Sequence, residues 1–203
     1  MTHIVNPRLF FKQLAQDGKN ASWQNVHFYW GDERCVPENH PESNFGMTKK
    51  YFFDRIDIPD QNLHRIKGEE YPTEEAERYG RQLIQSISRH ENNYPVFDWV
   101  ILGLGEDGHT ASIFPRDETV IHSKKICEVA EHPQTSQKRI TLTLPVINSA
   151  DKISFLVTGV IKSNIIKEIF NSTDSKSIYP ATMVQSNNNP VEWYLDKTAA
   201  SKL

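Results

Sequence analysis

The run Phe97 to Pro115, FDWVILGLGEDGHTASIFP, constrains this chain more than any other stretch. Val100-Ile101-Leu102 is a short apolar run that empties into Gly103-Leu104-Gly105 and then into Glu106-Asp107-Gly108-His109. An apolar run of that length stopped by glycine reads as a buried strand, and the glycines let the backbone approach a ligand closely. Acid and imidazole side chains are thereby delivered to the tip of a sheet, where open α/β folds place their ligands. Thr110 and Ser112 offer hydroxyls to cap a helix that follows.

The rest of the chain alternates in the same manner. Arg8 to Gln16, Glu42 to Ile56, Pro72 to Ile87 and Lys162 to Phe170 read as helices. In the third of these Ala76, Tyr79, Leu83 and Ile87 recur at spacings of three and four. Its start, Pro72-Thr73-Glu74-Glu75, offers a hydroxyl for the N-cap and two acids for the first turn. Strands are expected at Val26–Trp30, Leu63–Ile66, Phe97–Leu102, Ile126–Val129, Ile140–Leu144, Ile153–Val157 and Val191–Leu195. Asn187-Asn188-Asn189 reads as a polar loop. This order predicts an α/β fold, a mostly parallel sheet flanked by helices on both faces, in one domain over residues 1–203.

A net charge of −3 excludes a global attraction to nucleic acid or to anionic lipid, so any anionic ligand needs a local cluster of cations and N–H groups. Cys35 and Cys127, the two cysteines, have no metal or redox spacing and read as free thiols of a reducing cytosol. The start MTHIVNPRLFFKQLAQ lacks a basic segment followed by an apolar signal core. No stretch approaches the ~18 apolar residues of a membrane span. A cytoplasmic protein with no membrane or nucleic-acid partner is expected.

Gly103-Leu104-Gly105-Glu106-Asp107-Gly108 formally matches the dinucleotide fingerprint. Glu106 and Asp107 would face a pyrophosphate, and Pro115 leaves room for only about a turn of helix, so nicotinamide or flavin binding is rejected. No HExxH, no Cys/His quartet and no GxSxG occurs, which argues against a metal site and a serine nucleophile; no cofactor is expected.

His109 reads instead as a general base, since an imidazole of ordinary pKa ~6.5 is mostly neutral near pH 7. Asp107 would orient it. The competing reading is a structural histidine bonded to a nearby carbonyl.

Trp30-Gly31-Asp32-Glu33-Arg34 is a second constellation at a strand's carboxyl end. Asp32 would accept from ligand hydroxyls and Arg34 would fork onto a phosphate or carboxylate. The competing reading is a surface ion pair worth at most ~1 kcal/mol. Both motifs are expected to leave the same edge of one parallel sheet and so to share a crevice. Thr158-Gly159, followed by Lys162, reads as an anion site at a helix N-terminus, or as a plain cap with a solvated lysine. Arg139 is a weaker candidate, because an arginine flanking a strand is usually at the surface.

These motifs, WGDERCVPENHPESNFGM (Trp30–Met47), FDWVILGLGEDGHTASIFP, RITLTLPVIN (Arg139–Asn148) and the Thr158-Gly159…Lys162 turn, resemble the 6-phosphogluconolactonase family in order and spacing. The resemblance implies the sugar-phosphate isomerase/lactonase superfamily fold. The implied activity is hydrolysis of 6-phospho-glucono-1,5-lactone to 6-phosphogluconate in the oxidative pentose phosphate pathway, without metal or cofactor, by a monomer.

By motif, it makes His109 the base that activates water, with Asp107 and Gly108 shaping its loop. It puts Asp32 and Arg34 in the substrate site, and Lys162 and Arg139 near the phosphate. The family usually begins with a further strand and helix, then a strand ending in a Ser-Gly-Gly-Ser/Asn-Thr-Pro phosphate loop. Of that loop only Asn6-Pro7 has an echo here. The resemblance therefore implies weakened phosphate affinity and an uncovered strand edge. Two alternatives stay open: an amino-sugar-phosphate isomerase or deaminase of the same superfamily, and an inactive sugar-phosphate-binding remnant.

Overall fold

Parallel pairing joins three strands in one sheet and two in another. The computed structural model describes residues 7–171, 178–186 and 189–203. Positions 187 and 188 of the expected asparagine loop, and Asn6 of the phosphate-loop echo, lie outside the described residues. Strands β1 (Phe28–Tyr29), β2 (Asp32–Arg34), β3 (Leu63–His64), β4 (His90–Glu91), β5 (Tyr94–Pro95), β6 (Trp99–Leu102), β7 (Cys127–Glu131), β8 (Lys138–Leu142), β9 (Lys152–Val157) and β10 (Glu192–Leu195) follow in order.

β10, β9 and β6 pair in parallel in that order, and β1 pairs in parallel with β3. β9 sits in the middle, so Ile153, Phe155 and Val157 are wholly buried. The expected burial of β6 holds for one face only: Val100 and Leu102 point inward, while Trp99 is 50% and Ile101 41% exposed.

The α/β class holds, with one departure. Asp32–Arg34 do not leave the edge of the parallel sheet. They form β2 of a separate antiparallel sheet, β2–β8–β7. The chain passes from β1 into this second sheet at Gly31, whose carbonyl accepts from Leu142 N at 2.7 Å. Tyr79 fixes the crossing from beneath: its buried hydroxyl accepts from Trp30 N at 2.8 Å and donates to Trp30 O at 3.1 Å.

Helices α1 (Pro7–Asp17), α2 (Asn44–Tyr51), α3 (Pro72–Ser86), α4 (Glu118–Ile121), α5 (Leu144–Asn148) and α6 (Ser163–Asn171) flank the strands. The expected helix over Glu42–Ile56 is shorter because Ser43 caps its start, accepting from Gly46 N at 3.0 Å, and a 3-10 turn follows over Phe53–Arg55. α3 has no hydroxyl cap: Tyr71 holds the N-cap position and Pro72 the first helical residue, which suits proline's fixed φ and missing N–H. Its apolar stripe buries Ala76, Tyr79 and Leu83 as the spacing requires.

No helix follows His109 either. Thr110 pairs with Ile113 in an isolated bridge, and the next helix begins at Glu118. Among the described residues no helix is long and apolar enough to cross a membrane.

Candidate active site

Gly105 and Gly108 shape the loop after β6 around one imidazole. Gly105 N donates to His109 O at 2.8 Å, and Gly108, at φ +81°, turns the chain back toward it. A Cβ on Gly105 would fall 2.1 Å from His109 Nδ1 and 2.5 Å from Asp107 Oδ1, so only glycine leaves room for the pair. A Cβ on Gly108 would strike Tyr179 at 2.5 Å, and Gly108 O accepts from Ala181 N.

In the space so cleared, His109 Nδ1–H donates to Asp107 Oδ1 at 2.6 Å, and the same oxygen accepts from His109 N at 3.1 Å. With Nδ1 holding the proton, Nε2 is left as the free acceptor, the arrangement a general base requires. Burial would raise the Asp107 carboxyl. The His109 bond and charge, with local N–H groups, overcome it and hold the carboxyl below the usual range, so it stays ionised opposite the imidazole. The His109 side chain is 18% exposed and rests on the buried Phe114 ring, centroids 4.8 Å apart.

Thr110 and Ser112 cap nothing. Thr110 Oγ1 donates to Gly103 O at 3.0 Å, closing the loop on itself. Ser112 Oγ reaches the second sheet and donates to Asp32 Oδ2 at 2.7 Å. Asn44 Nδ2 donates to Asp32 Oδ1 at 3.2 Å and to its carbonyl at 3.0 Å. The sequence motifs around Asp32 and His109 are thus joined through Ser112, while Asn44 fixes Asp32 from within its own motif.

Glu33, read with its neighbours as a functional charge, has a structural task. It is 2% exposed and accepts from Arg34 N, Ser43 Oγ, Asn44 N and Phe45 N at 2.7–3.1 Å, neutralising the start of α2. Burial pushes its carboxyl up against the pull of those donors.

Antiparallel pairing sets Arg34 directly opposite Arg139. Arg139 is not a surface residue: it lies inside β8 and is 8% exposed, its guanidinium 5.7 Å from the Phe114 centroid. Burial, and then the charge of Arg34, pull its pKa down. Arg34 forms no surface ion pair among the described residues; Nη1 donates to Glu42 O at 2.5 Å. Among the described residues the buried Nε–H groups of both arginines have no hydrogen-bond partner. Two like charges set in register, each with a free donor, suit an anion placed between them.

Lys162 is placed differently from expectation. The Gly159 N–H, at the supposed anion-binding turn, is taken by Asp196 Oδ2 at 3.0 Å, and Lys162 N donates to Gly159 O. Val160–Lys162 is a 3-10 turn, and α6 starts after it. The lysine is buried at 2% exposure; burial pulls its pKa down while the charges of Glu106 and Asp107 push it up, so the ammonium feels the acids of the His109 loop. Thr158 is exposed, and no hydrogen bond among the described residues ties its side chain to the cluster.

Sequence reading missed Phe114, against which His109, Arg139 and His132 all pack, and missed His132 itself. An FP pair after a loop and a lone histidine in a hairpin carry no local signal.

The model of the glucosamine-6-phosphate isomerases/6-phosphogluconolactonase family matches residues 5–193. This chain belongs to that family. A 6-phosphogluconolactonase of Haemophilus influenzae is 43% identical over 199 residues, covering 97% of this chain and 83% of the relative. A solved structure described as the devB protein, 43% identical, superposes with a TM-score of 0.92 over 97% of this chain and 83% of its own. The 6-phosphogluconolactonase of Trypanosoma brucei, 28% identical, superposes with a TM-score of 0.85 over 98% of this chain and 83% of that one.

Proposed function

We propose that this protein hydrolyses 6-phospho-glucono-1,5-lactone to 6-phosphogluconate, the lactone-opening step of the oxidative pentose phosphate pathway. The observation that carries the reading is the 2.6 Å bond from His109 Nδ1 to Asp107, built on a glycine that nothing larger can replace. His109 Nε2 takes a proton from water as the water oxygen bonds to the lactone carbonyl carbon. The tetrahedral intermediate then breaks its ring C–O bond, and the imidazolium returns the proton to the departing ring oxygen. Asp107 stays ionised and steadies the imidazolium.

The product carries a phosphate and a carboxylate. Two cationic stations match that pattern: Lys162, which feels the acids of the His109 loop, and the Arg34–Arg139 pair across Phe114. Asp32, fixed by Ser112 and Asn44, accepts from sugar hydroxyls. One chain supplies every group, which supports a monomer as the working unit. Two free thiols support a cytoplasmic location.

Lactone hydrolysis read as proton release, wild type against His109→Ala, tests the reading. A loss of about 10²–10⁴ in kcat is expected from removing a positioned base. Equal rates above the spontaneous background would remove His109 from its role. Ammonia released from glucosamine 6-phosphate would instead redirect the reading to the isomerase branch of the family.

A further inference from the structure

His132 opens the hairpin loop between β7 and β8, a few residues before Arg139. It is 8% exposed, and its ring stands edge-on to Phe114 with centroids 5.2 Å apart. Phe114 is therefore shared by His109, Arg139 and His132. The titratable groups that act on His132 are those of the candidate site: Arg139, His109, Asp107 and Arg34.

The tautomer of His132 follows from its own turn. Nδ1 accepts from Gln134 N and from Thr135 N, both at 3.3 Å. Two donors aimed at one ring nitrogen leave it no proton, so the proton of the neutral ring resides on Nε2. Burial, and then the positive charge of Arg139, keep the ring from taking a second proton. The result is an imidazole biased toward its neutral form, with the proton on Nε2. Its Nε2–H has no acceptor among the described residues; Arg139, whose Nε–H also lacks one, packs on the same Phe114 ring, and the charges of Arg139 and Arg34 both act on the imidazole.

We propose that His132 is a substrate-positioning residue whose Nε2–H joins Arg34 and Arg139 in holding one oxyanion of the ligand. The inference deepens the lactonase reading and rests on it for the ligand's identity. A neutral donor suits this place, because a third cation would add repulsion to a pair that already faces like charge. The oxyanion is either the phosphate or the carboxylate that forms as the ring opens.

His132→Asn is the informative variant. Its Oδ1 occupies the position of Nδ1 and keeps the acceptor for Gln134 and Thr135, while nothing replaces Nε2–H. His132→Gln, whose amide reaches the Nε2 position, is the rescue. Wild type and both variants are titrated calorimetrically with 6-phosphogluconate, with glucose 6-phosphate (phosphate only) and with gluconate (carboxylate only). His132→Asn is expected to bind 6-phosphogluconate about tenfold more weakly at an unchanged thermal midpoint, with partial recovery in His132→Gln.

A parallel loss for glucose 6-phosphate assigns the contact to phosphate, and one for gluconate assigns it to carboxylate. In ¹⁵N-histidine spectra the Nε2–H signal of His132 shifts on adding 6-phosphogluconate. Undiminished 6-phosphogluconate affinity in His132→Asn overturns the proposal, as does a loss that appears only with a lowered thermal midpoint. If the wild type binds these ligands but leaves the lactone unhydrolysed, the lactonase reading falls and the titrations still judge His132.

Discussion

His109 and Arg139 lean on the same Phe114 ring from two different sheets, and they arrive there by different routes. His109 hangs from the loop after β6, where Gly105, Asp107 and Gly108 shape it from within a few residues. Arg139 meets Arg34 only because β2 and β8 pair antiparallel in one register, across more than a hundred residues of chain. A locally built half announces itself by glycine and acid spacing. A half built by pairing leaves two unremarkable arginines in two distant segments. Ser112 ties the halves together by its bond to Asp32.

Glu33 gives the largest effect on this comparison after loss of His109 itself. Glu33→Ala strips an acceptor from four donors in the second sheet and α2, and should lower unfolding free energy by roughly 3 kcal/mol in denaturant titration. A cost under about 1 kcal/mol would mean that water replaces the carboxylate and that β2 is held by pairing alone.

Gly105→Ala attacks the other half without touching the second sheet. The added methyl displaces the His109–Asp107 pair, so kcat should fall about 10²-fold while affinity for 6-phosphogluconate changes little. If affinity fell as far as turnover, the two halves would not be separable.

Arg139→Leu should do the reverse. Removing one of two facing cations leaves the ligand-free thermal midpoint unchanged or higher, while KM rises about tenfold. A destabilised variant with unaltered KM would refute an anion station there.

The smallest effect is a pH dependence. Burial lowers the Lys162 pKa despite Glu106 and Asp107, so its ammonium becomes neutral below the ordinary lysine range. Affinity for 6-phosphogluconate should therefore begin to decline on the alkaline side before an exposed lysine would titrate. A flat profile through that range would detach Lys162 from the ligand.

Much of the fold was legible because burial imposes period. The spacing of Ala76, Tyr79 and Leu83 wrote α3, and the apolar run Ile153–Val157 wrote the central strand β9. Misreadings cluster where hydrogen-bond partners lie far away in sequence. Ser112 looked like a cap because its true acceptor, Asp32, belongs to another sheet. Glu33 looked functional because the α2 N-terminus it caps was not visible from its own segment.

The sequence by itself determined the α/β alternation, the glycine loop and the identity of His109 and Asp107, since short-range sterics and local hydrogen bonding suffice for each. Only the tertiary structure decided that Arg34 faces Arg139, that Lys162 is buried within the electrostatic reach of Asp107 and that His132 packs on Phe114 with its Nδ1 engaged as an acceptor. Register between strands, and the removal of charges from water, are properties of packing that no local run of residues encodes.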